Sequence, residues 1–195
     1  MIICYICVMS SNSPELVKGA VNAACEKESG EELHWYAVRA FRGKAGQLKE
    51  DFEEAGWKTF TAVRSVPQLL FVKCPQKWLE TYKGGFLGEY FMIYRHKVRN
   101  SLGFPIFEPA PIPEEQMQVF MFVTSVGDGS DIEVCEAPAA CFNKGEKVRV
   151  KEGLYKGAVG VVKRIKRDRK LLVAIEGVVV VAISNIPVSF LEKVD

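Results

Sequence analysis

The sequence predicts an α+β protein in which an α/β sandwich is followed by a small five-stranded β-barrel. Three observations carry this expectation. Residues 34–126 alternate apolar strand-like runs with amphipathic helical stretches, residues 143–195 hold only short β-branched runs, and a turn-rich segment, 127–142, separates the two. A chain of 195 residues has room for both units.

Each element has a local reason. Ile2 to Val8 reads as an apolar strand, and Asn12-Ser13-Pro14-Glu15 offers a cap, a first-turn proline and an early acid for a helix. Trp35 to Phe41 is an aromatic and apolar strand. Ala45, Leu48, Phe52 and Ala55 recur at helical spacing before Gly56. Trp57 to Val63 and Leu69 to Val72 are the next strands, followed by a short helix at Gln76 to Tyr82 and a strand at Tyr90 to Tyr94. A last helix begins at Pro113, with Glu114 and Glu115 in its first turn.

Beyond the turn-rich segment, five runs read as strands: Val148 to Lys151, Ala158 to Ile165, Leu171 to Ile175, Val178 to Ile183 and Phe190 to Val194. Closure into a barrel protects Val178 to Val181, whose exposed edge would invite aggregation. The domain plan is therefore an extra strand and helix over 1–33, a sandwich over 34–126, a linker over 127–142 and a barrel over 143–195.

Composition limits the function classes. A chain 48% hydrophobic and 26% charged folds, and argues against a disordered or repeat architecture. Its longest apolar runs, Ile2 to Met9 and Val178 to Ile183, fall far short of the ~18 residues of a membrane-spanning helix. Met1 to Met9 lacks a basic start and a small-residue cleavage pattern, so no secretory signal is expected. Six cysteines without an export signal read as reduced thiols and a cytoplasmic location.

Catalytic and metal-binding patterns are sparse. Cys4 and Cys7 would point to opposite faces of a strand, and the two histidines, His34 and His96, have no carboxylate or nucleophile partner in sequence. Gly84-Gly85-x-x-Gly88 lacks the Lys-Ser/Thr of a phosphate loop and reads as a turn. No catalytic residue, metal or cofactor is expected. The positive signal is charge: residues 1–142 carry a net −4 and residues 143–195 a net +6. Lys163, Arg164, Lys166, Arg167, Arg169 and Lys170 bracket one hairpin turn, a field suited to phosphates or to an acidic protein.

Phe142 to Val162, with glycines at 145, 153, 157 and 160, closely resembles the KOW motif. Gly145 opens a strand, Gly153 and Gly157 flank a tight turn, and Gly160 lies where a side chain would crowd its neighbour. His34 to Phe41 is similar to the opening strand of the NusG N-terminal (NGN) domain, and Pro109 to Pro113 to the lead into that domain's last helix. The resemblance covers about residues 34 to 195. It implies a ferredoxin-like NGN sandwich followed by an SH3-like KOW barrel. Ser65 to Val72, Arg167 to Val173 and Ile186 to Lys193 resemble the UpxY group, antiterminators of capsular polysaccharide loci. Residues 1–33 depart from both patterns, as an added strand and helix or through a start other than Met1.

The resemblance implies a non-enzymatic transcription elongation and antitermination factor that docks on the RNA polymerase clamp helices. By position, Trp35, Tyr36, Phe41, Val66, Leu69 and Ile112 are candidates for the docking patch, and core packing is their other reading. Lys44, Gln47 and Lys73 are candidates for contact with non-template DNA or nascent RNA. A small-subunit ribosomal protein or Rho is the partner implied for the barrel. The β-branched runs at Val159 to Val162 and Val178 to Val181 favour a permanent barrel over a helical hairpin. A monomer is expected, with Val178 to Ile183 suited to pairing only as an exposed edge. The alternative is a KOW-containing RNA-binding or ribosome-associated protein. An enzyme using Cys4, Cys7 or His96 is a third reading.

Overall fold

The computed structural model describes residues 32–61, 66–126, 131–135, 145–165 and 168–194. The strand and helix expected before residue 32, with Cys4, Cys7 and Cys25, lie outside these residues, as do Cys141, Lys166 and Arg167.

The first part follows the order β1 (His34–Ala40), α1 (Ala45–Glu54), β2 (Lys58–Thr61), β3 (Leu69–Cys74), α2 (Gln76–Lys83) and β4 (Phe91–Ile93). Its antiparallel sheet has the strand order β2-β3-β1-β4. That connectivity is the β-α-β-β-α-β ferredoxin-like arrangement expected from the sequence. Helix α1 buries Leu48 and Phe52, α2 buries Trp78 and Leu79, and Gly56 adopts a left-handed φ of 84° just past the end of α1. Lys83 donates to the carbonyls of Gly88 and Phe91, which closes the 3-10 turn Phe86–Tyr90 that follows Gly84 and Gly85 and contains Gly88.

Tyr36 and Val38 from β1 alternate with Trp35 and Ala37, and all four are buried, so this central strand is covered on both sides. On one side Phe52 stands edge-on to Trp78, Tyr82 and Phe91, with ring centroids 5.6, 5.1 and 6.2 Å away. Helix α3 (Glu114–Ser125) contributes Met117, Phe120 and Val123 to the core, and the Phe120 ring lies 5.2 Å from Phe71 and 6.2 Å from Phe60.

Two tyrosines of this part are held neutral. Burial pushes the Tyr36 hydroxyl up to about 12, with the Cys74 thiol adding in the same direction. Burial also raises Tyr82, whose Oη donates to Asp51 Oδ2 at 3.0 Å, so that the carboxylate opposes ionisation. An acid with a folded pKa above its unfolded value loses protons first in the unfolded chain, so stability falls as pH rises. Tyr36 alone removes at most about 3 kcal/mol between pH ~10 and ~12. In an alkaline titration the last tyrosinate absorbance to appear should coincide with loss of circular dichroism. Ordinary tyrosine titration in a chain that stays folded would contradict this account.

Between β4 and α3 the chain forms a separate hairpin, β5 (Arg95–Arg99) with β6 (Pro105–Pro109). The sequence reading did not anticipate it. Pro105 and Pro109 argue against a strand, and β5 is a charged run with Val98 as its one apolar residue. The ladder forms because each strand serves as the partner of the other outside the main sheet.

The second part is an antiparallel sheet of β7 (Ile132–Cys135), β8 (Glu146–Val150), β9 (Val159–Ile165), β10 (Asp168–Ile175), β11 (Val179–Ile183) and β12 (Leu191–Lys193). Its order is β12-β8-β9-β10-β11-β7. The five expected strands are present, and the described residues of this region hold no α-helix, only a 3-10 turn at Val188–Phe190. The added strand, β7, arises within the span expected as a linker. It pairs with β11 from Val180↔Cys135 to Ile183↔Ile132, so a segment too short to stand alone is held by a long-range ladder. β11 lies between β10 and β7, so the run Val179 to Ile183 is an interior strand and not the pairing edge considered from the sequence. Its protection comes from neighbours on both sides, while β12 and β7 stand at the ends of the sheet.

Both parts belong to one compact unit spanning residues 32–195. A continuous apolar cluster runs from Leu69 and Phe71 through Met117, Phe120 and Val123 into Leu171, Val173 and Val181. Helix α3 lies beside β10 and joins the two sheets.

Candidate functional site

Strand alternation separates the six candidates for the docking patch. On β1 and β3, Trp35 pairs with Lys73, Ala37 with Phe71 and Arg39 with Leu69, while Tyr36 pairs with Val72 one residue out of phase. Tyr36 therefore turns away from the others and packs as core at 1% exposure, which is its other reading from the sequence. Trp35, Leu69 and Ile112 share the cluster that includes α3, and Ile112 donates its amide to the Trp35 carbonyl at 2.8 Å. They are 5%, 2% and 4% exposed. Val66 is half-buried against the same cluster. Only Phe41 is exposed, at 38%.

The surface that remains accessible is thus the end of the sheet where β1 finishes. The Phe41 amide donates to the Tyr90 carbonyl at 2.7 Å, and Met92, 41% exposed, lies opposite Arg39 on β4. Arg42 Cζ and Lys44 Nζ lie 5.9 and 5.7 Å from the centre of the Tyr90 ring. Arg42 and Gly43 have positive φ values, 52° and 71°, so the tight turn after β1 brings both cations back over the tyrosine. Lys44 Nζ also donates to Gln47 Oε1 at 2.9 Å. An apolar spot of Phe41 and Met92 is consequently bordered by two cations and an amide.

Sequence reasoning found Phe41, Lys44 and Gln47 but missed Arg42, Tyr90 and Met92. Met92 is exposed between buried Phe91 and Ile93, and the sequence there, apolar at all three positions, does not mark it. Nothing local places Tyr90 under the cations.

Lys73, the third nucleic-acid candidate, is remote from this spot. It pairs with Trp35 at the opposite end of β1, roughly 20 Å away at about 3.4 Å per strand residue. Its Nζ contacts Glu114 Oε2 at 2.9 Å. That hydrogen bond holds the Glu114 carboxyl below the usual range, and the positive charge of Lys73 acts in the same direction. The contact ties β3 to the start of α3.

Of the six cations expected around one turn, Lys163, Arg164, Arg169 and Lys170 are among the described residues and fall on one hairpin. Lys163 pairs with Lys170, Arg164 with Arg169 and Ile165 with Asp168 across β9 and β10. Like charges opposite each other in a ladder repel. Lys170 Nζ donates to Glu133 Oε2 at 2.6 Å, so the unanticipated β7 supplies a counter-charge.

Among the described residues, no group of three His, Cys, Asp or Glu side chains is placed to hold a metal ion, and no helix is long and apolar enough to cross a membrane. No family model and no curated protein matches the sequence. Among solved structures, the chain is similar to one described as "Domain interaction in Thermotoga maritima NusG", with 19% identity over 84% of this chain and 98% of that one and a TM-score of 0.42.

Proposed function

We propose that this chain is a non-enzymatic, cytoplasmic transcription elongation and antitermination factor that binds RNA polymerase. The observation that carries the reading is the motif's geometry. Gly153 and Gly157 adopt the left-handed φ values of 85° and 93° that a tight turn demands, and Gly160 lies where an added Cβ would be 2.4 Å from the Leu172 carbonyl oxygen. The KOW-like pattern thus coincides with its required conformations, downstream of a ferredoxin-like domain whose opening strand resembles NGN. The likeness of Ser65 to Val72 and Ile186 to Lys193 to the UpxY group supports read-through of a capsular polysaccharide operon as the specific role.

Docking on the clamp helices begins at Phe41 and Met92, the exposed apolar pair, with Val66 at the margin. Trp35, Leu69 and Ile112 contribute only where the apolar cluster opens. The hairpin of Lys163 and Lys170, and Lys44 with Gln47, supply the charge for non-template DNA or nascent RNA. A small-subunit ribosomal protein or Rho is the proposed partner of the β-rich domain.

The test is retention of purified RNA polymerase by the immobilised full chain. Wild type should retain it, and Phe41→Ala/Met92→Ala should weaken retention about 30-fold or more, as expected of a buried apolar anchor worth about 2 kcal/mol. Both side chains are exposed, so the variant keeps its fold, unlike changes at Trp35 or Leu69. Retention of ribosomes or RNA in place of polymerase would overturn the proposal in favour of a ribosome-associated KOW protein.

A further inference from the structure

The β5–β6 hairpin combines two features that the proposed polymerase contact does not use. Cross-strand neighbours share a face, and here Lys97 stands opposite Phe107 and Arg99 opposite Pro105. Phe107 is 64% exposed and Phe104, beside the turn, is 65% exposed. Phe104 pairs with Asn100 and so lies on the opposite face from Phe107, and Leu102 is exposed at the turn, so on the face of Lys97 and Arg99 the exposed ring is Phe107.

The hairpin is fixed before any ligand arrives. Asn100 Oδ1 accepts the backbone amides of Leu102 and Phe104 at 3.1 and 2.9 Å, and Gly103 takes a left-handed φ of 81°. At the base, the Arg95 guanidinium forms a two-point contact with Glu80 on α2, at 2.8 and 2.6 Å, and donates to the Phe107 carbonyl at 3.0 Å. Arg95 is therefore committed to anchoring. Among the described residues, no ion pair or hydrogen bond occupies the side chain of Lys97 or Arg99. Glu108, the one carboxylate on the hairpin, lies opposite His96 on the other face.

We propose that the β5–β6 hairpin binds single-stranded nucleic acid, with Lys97 and Arg99 on the phosphates and Phe107 stacking on a base. Lys97 and Arg99 project from the same face about 7 Å apart, so the two charges follow an extended backbone. The phenyl ring of Phe107 accounts for the preference for single strands. A duplex offers the hairpin only phosphates, whereas unpaired bases expose faces on which aromatic rings stack. The fixed turn limits the ordering cost of binding. An apolar protein surface would have to desolvate both cations without neutralising them.

The full chain is titrated with fluorescein-labelled oligo-dT, oligo-U and a DNA duplex while anisotropy is read. The single strands should bind more tightly than the duplex, and the ratio of dT to U affinity reports whether DNA or RNA is preferred. Phe107→Ala should weaken single-strand binding about tenfold, within the range of one lost base stack. Lys97→Gln/Arg99→Gln should reduce the salt slope of log K by about 1.4, the value for two phosphates on a single strand. Phe107→Trp should keep the affinity and show quenching of the added indole fluorescence by the oligonucleotide.

Unchanged affinity in both the Phe107→Ala and the Lys97→Gln/Arg99→Gln variants would overturn the proposal, as would absence of single-strand binding by wild type. A quenching signal that is absent while affinity persists would place the strand elsewhere and overturn it too. Polymerase retention and oligonucleotide binding are separate readouts, so failure of one leaves the other intact.

Discussion

Phe120→Ala should destabilise the protein by about 3 to 5 kcal/mol, which is a large part of the ~5 to 15 kcal/mol that holds a typical domain folded. The side chain is fully buried, on the middle of α3, and packs on Phe71 and Phe60. α3 is also the element beside β10, within the cluster that joins both sheets. The cavity therefore opens where the two parts meet. At a urea dependence near 2 kcal/mol/M, the unfolding midpoint should fall by about 2 M. A shift smaller than 0.5 M, about 1 kcal/mol, would mean that α3 does not carry the packing described. Phe122→Ala, at an exposed position two residues along the same helix, is the matched control and should change stability little.

Gly160→Ala should destabilise the β-rich domain by about 1 to 3 kcal/mol or more, the usual range for overpacking. Here the obstacle is backbone: the added Cβ would lie 2.4 Å from the Leu172 carbonyl oxygen and 3.1 Å from its carbonyl carbon. A side chain can rotate out of a clash, whereas a carbonyl in a strand can only move by distorting its ladder. β9 and β10 pair at Val161↔Leu172, so the distortion spreads toward the basic hairpin. Gly157→Ala isolates the other role of glycine, since nothing lies within 4 Å of its added Cβ and its φ of 93° is the sole objection. That variant should cost about 1 to 2 kcal/mol through backbone strain alone. Chemical denaturation of both variants checks the ranking, and equal or negligible effects would contradict the close approach at Gly160.

Helix α1 shows how much of the fold local sequence conveys. Leu48 and Phe52 recur four residues apart before a glycine, and the helix forms over Ala45–Glu54 with those two side chains buried. Pro113 with Glu114 and Glu115 likewise marks the start of α3, where early acids suit the positive end of the helix dipole. Gly153 and Gly157 announce their turn because almost no other residue tolerates the conformation. In each case the cause is confined to a few neighbouring residues.

The candidate site was legible only in part for a related reason. Trp35, Tyr36, Leu69 and Ile112 are apolar or aromatic whether they dock a partner or fill a core, and pattern alone does not distinguish the two. Phe41 remains at the surface because β1 ends there, beyond the reach of α3 packing. Hairpin β5–β6 was hidden by its prolines and charges, and β7 by the polar turn-rich stretch around it. These strands are stabilised by partners distant in sequence, Val180 to Ile183 in the case of β7.

The sequence by itself determined the three helices, the strands other than β5, β6 and β7, the two-part α+β division, the special glycines and the basic character of the β9–β10 hairpin. All of these follow from side-chain periodicity, backbone sterics and charge, which act between near neighbours. The tertiary structure alone decided that Tyr36 faces away from Trp35's cluster, that Arg42 and Lys44 meet over Tyr90, that Lys170 finds Glu133, and that Lys97 stands opposite Phe107. Those relations depend on strand register and on which surfaces bury one another, and chain closure over tens of residues sets both.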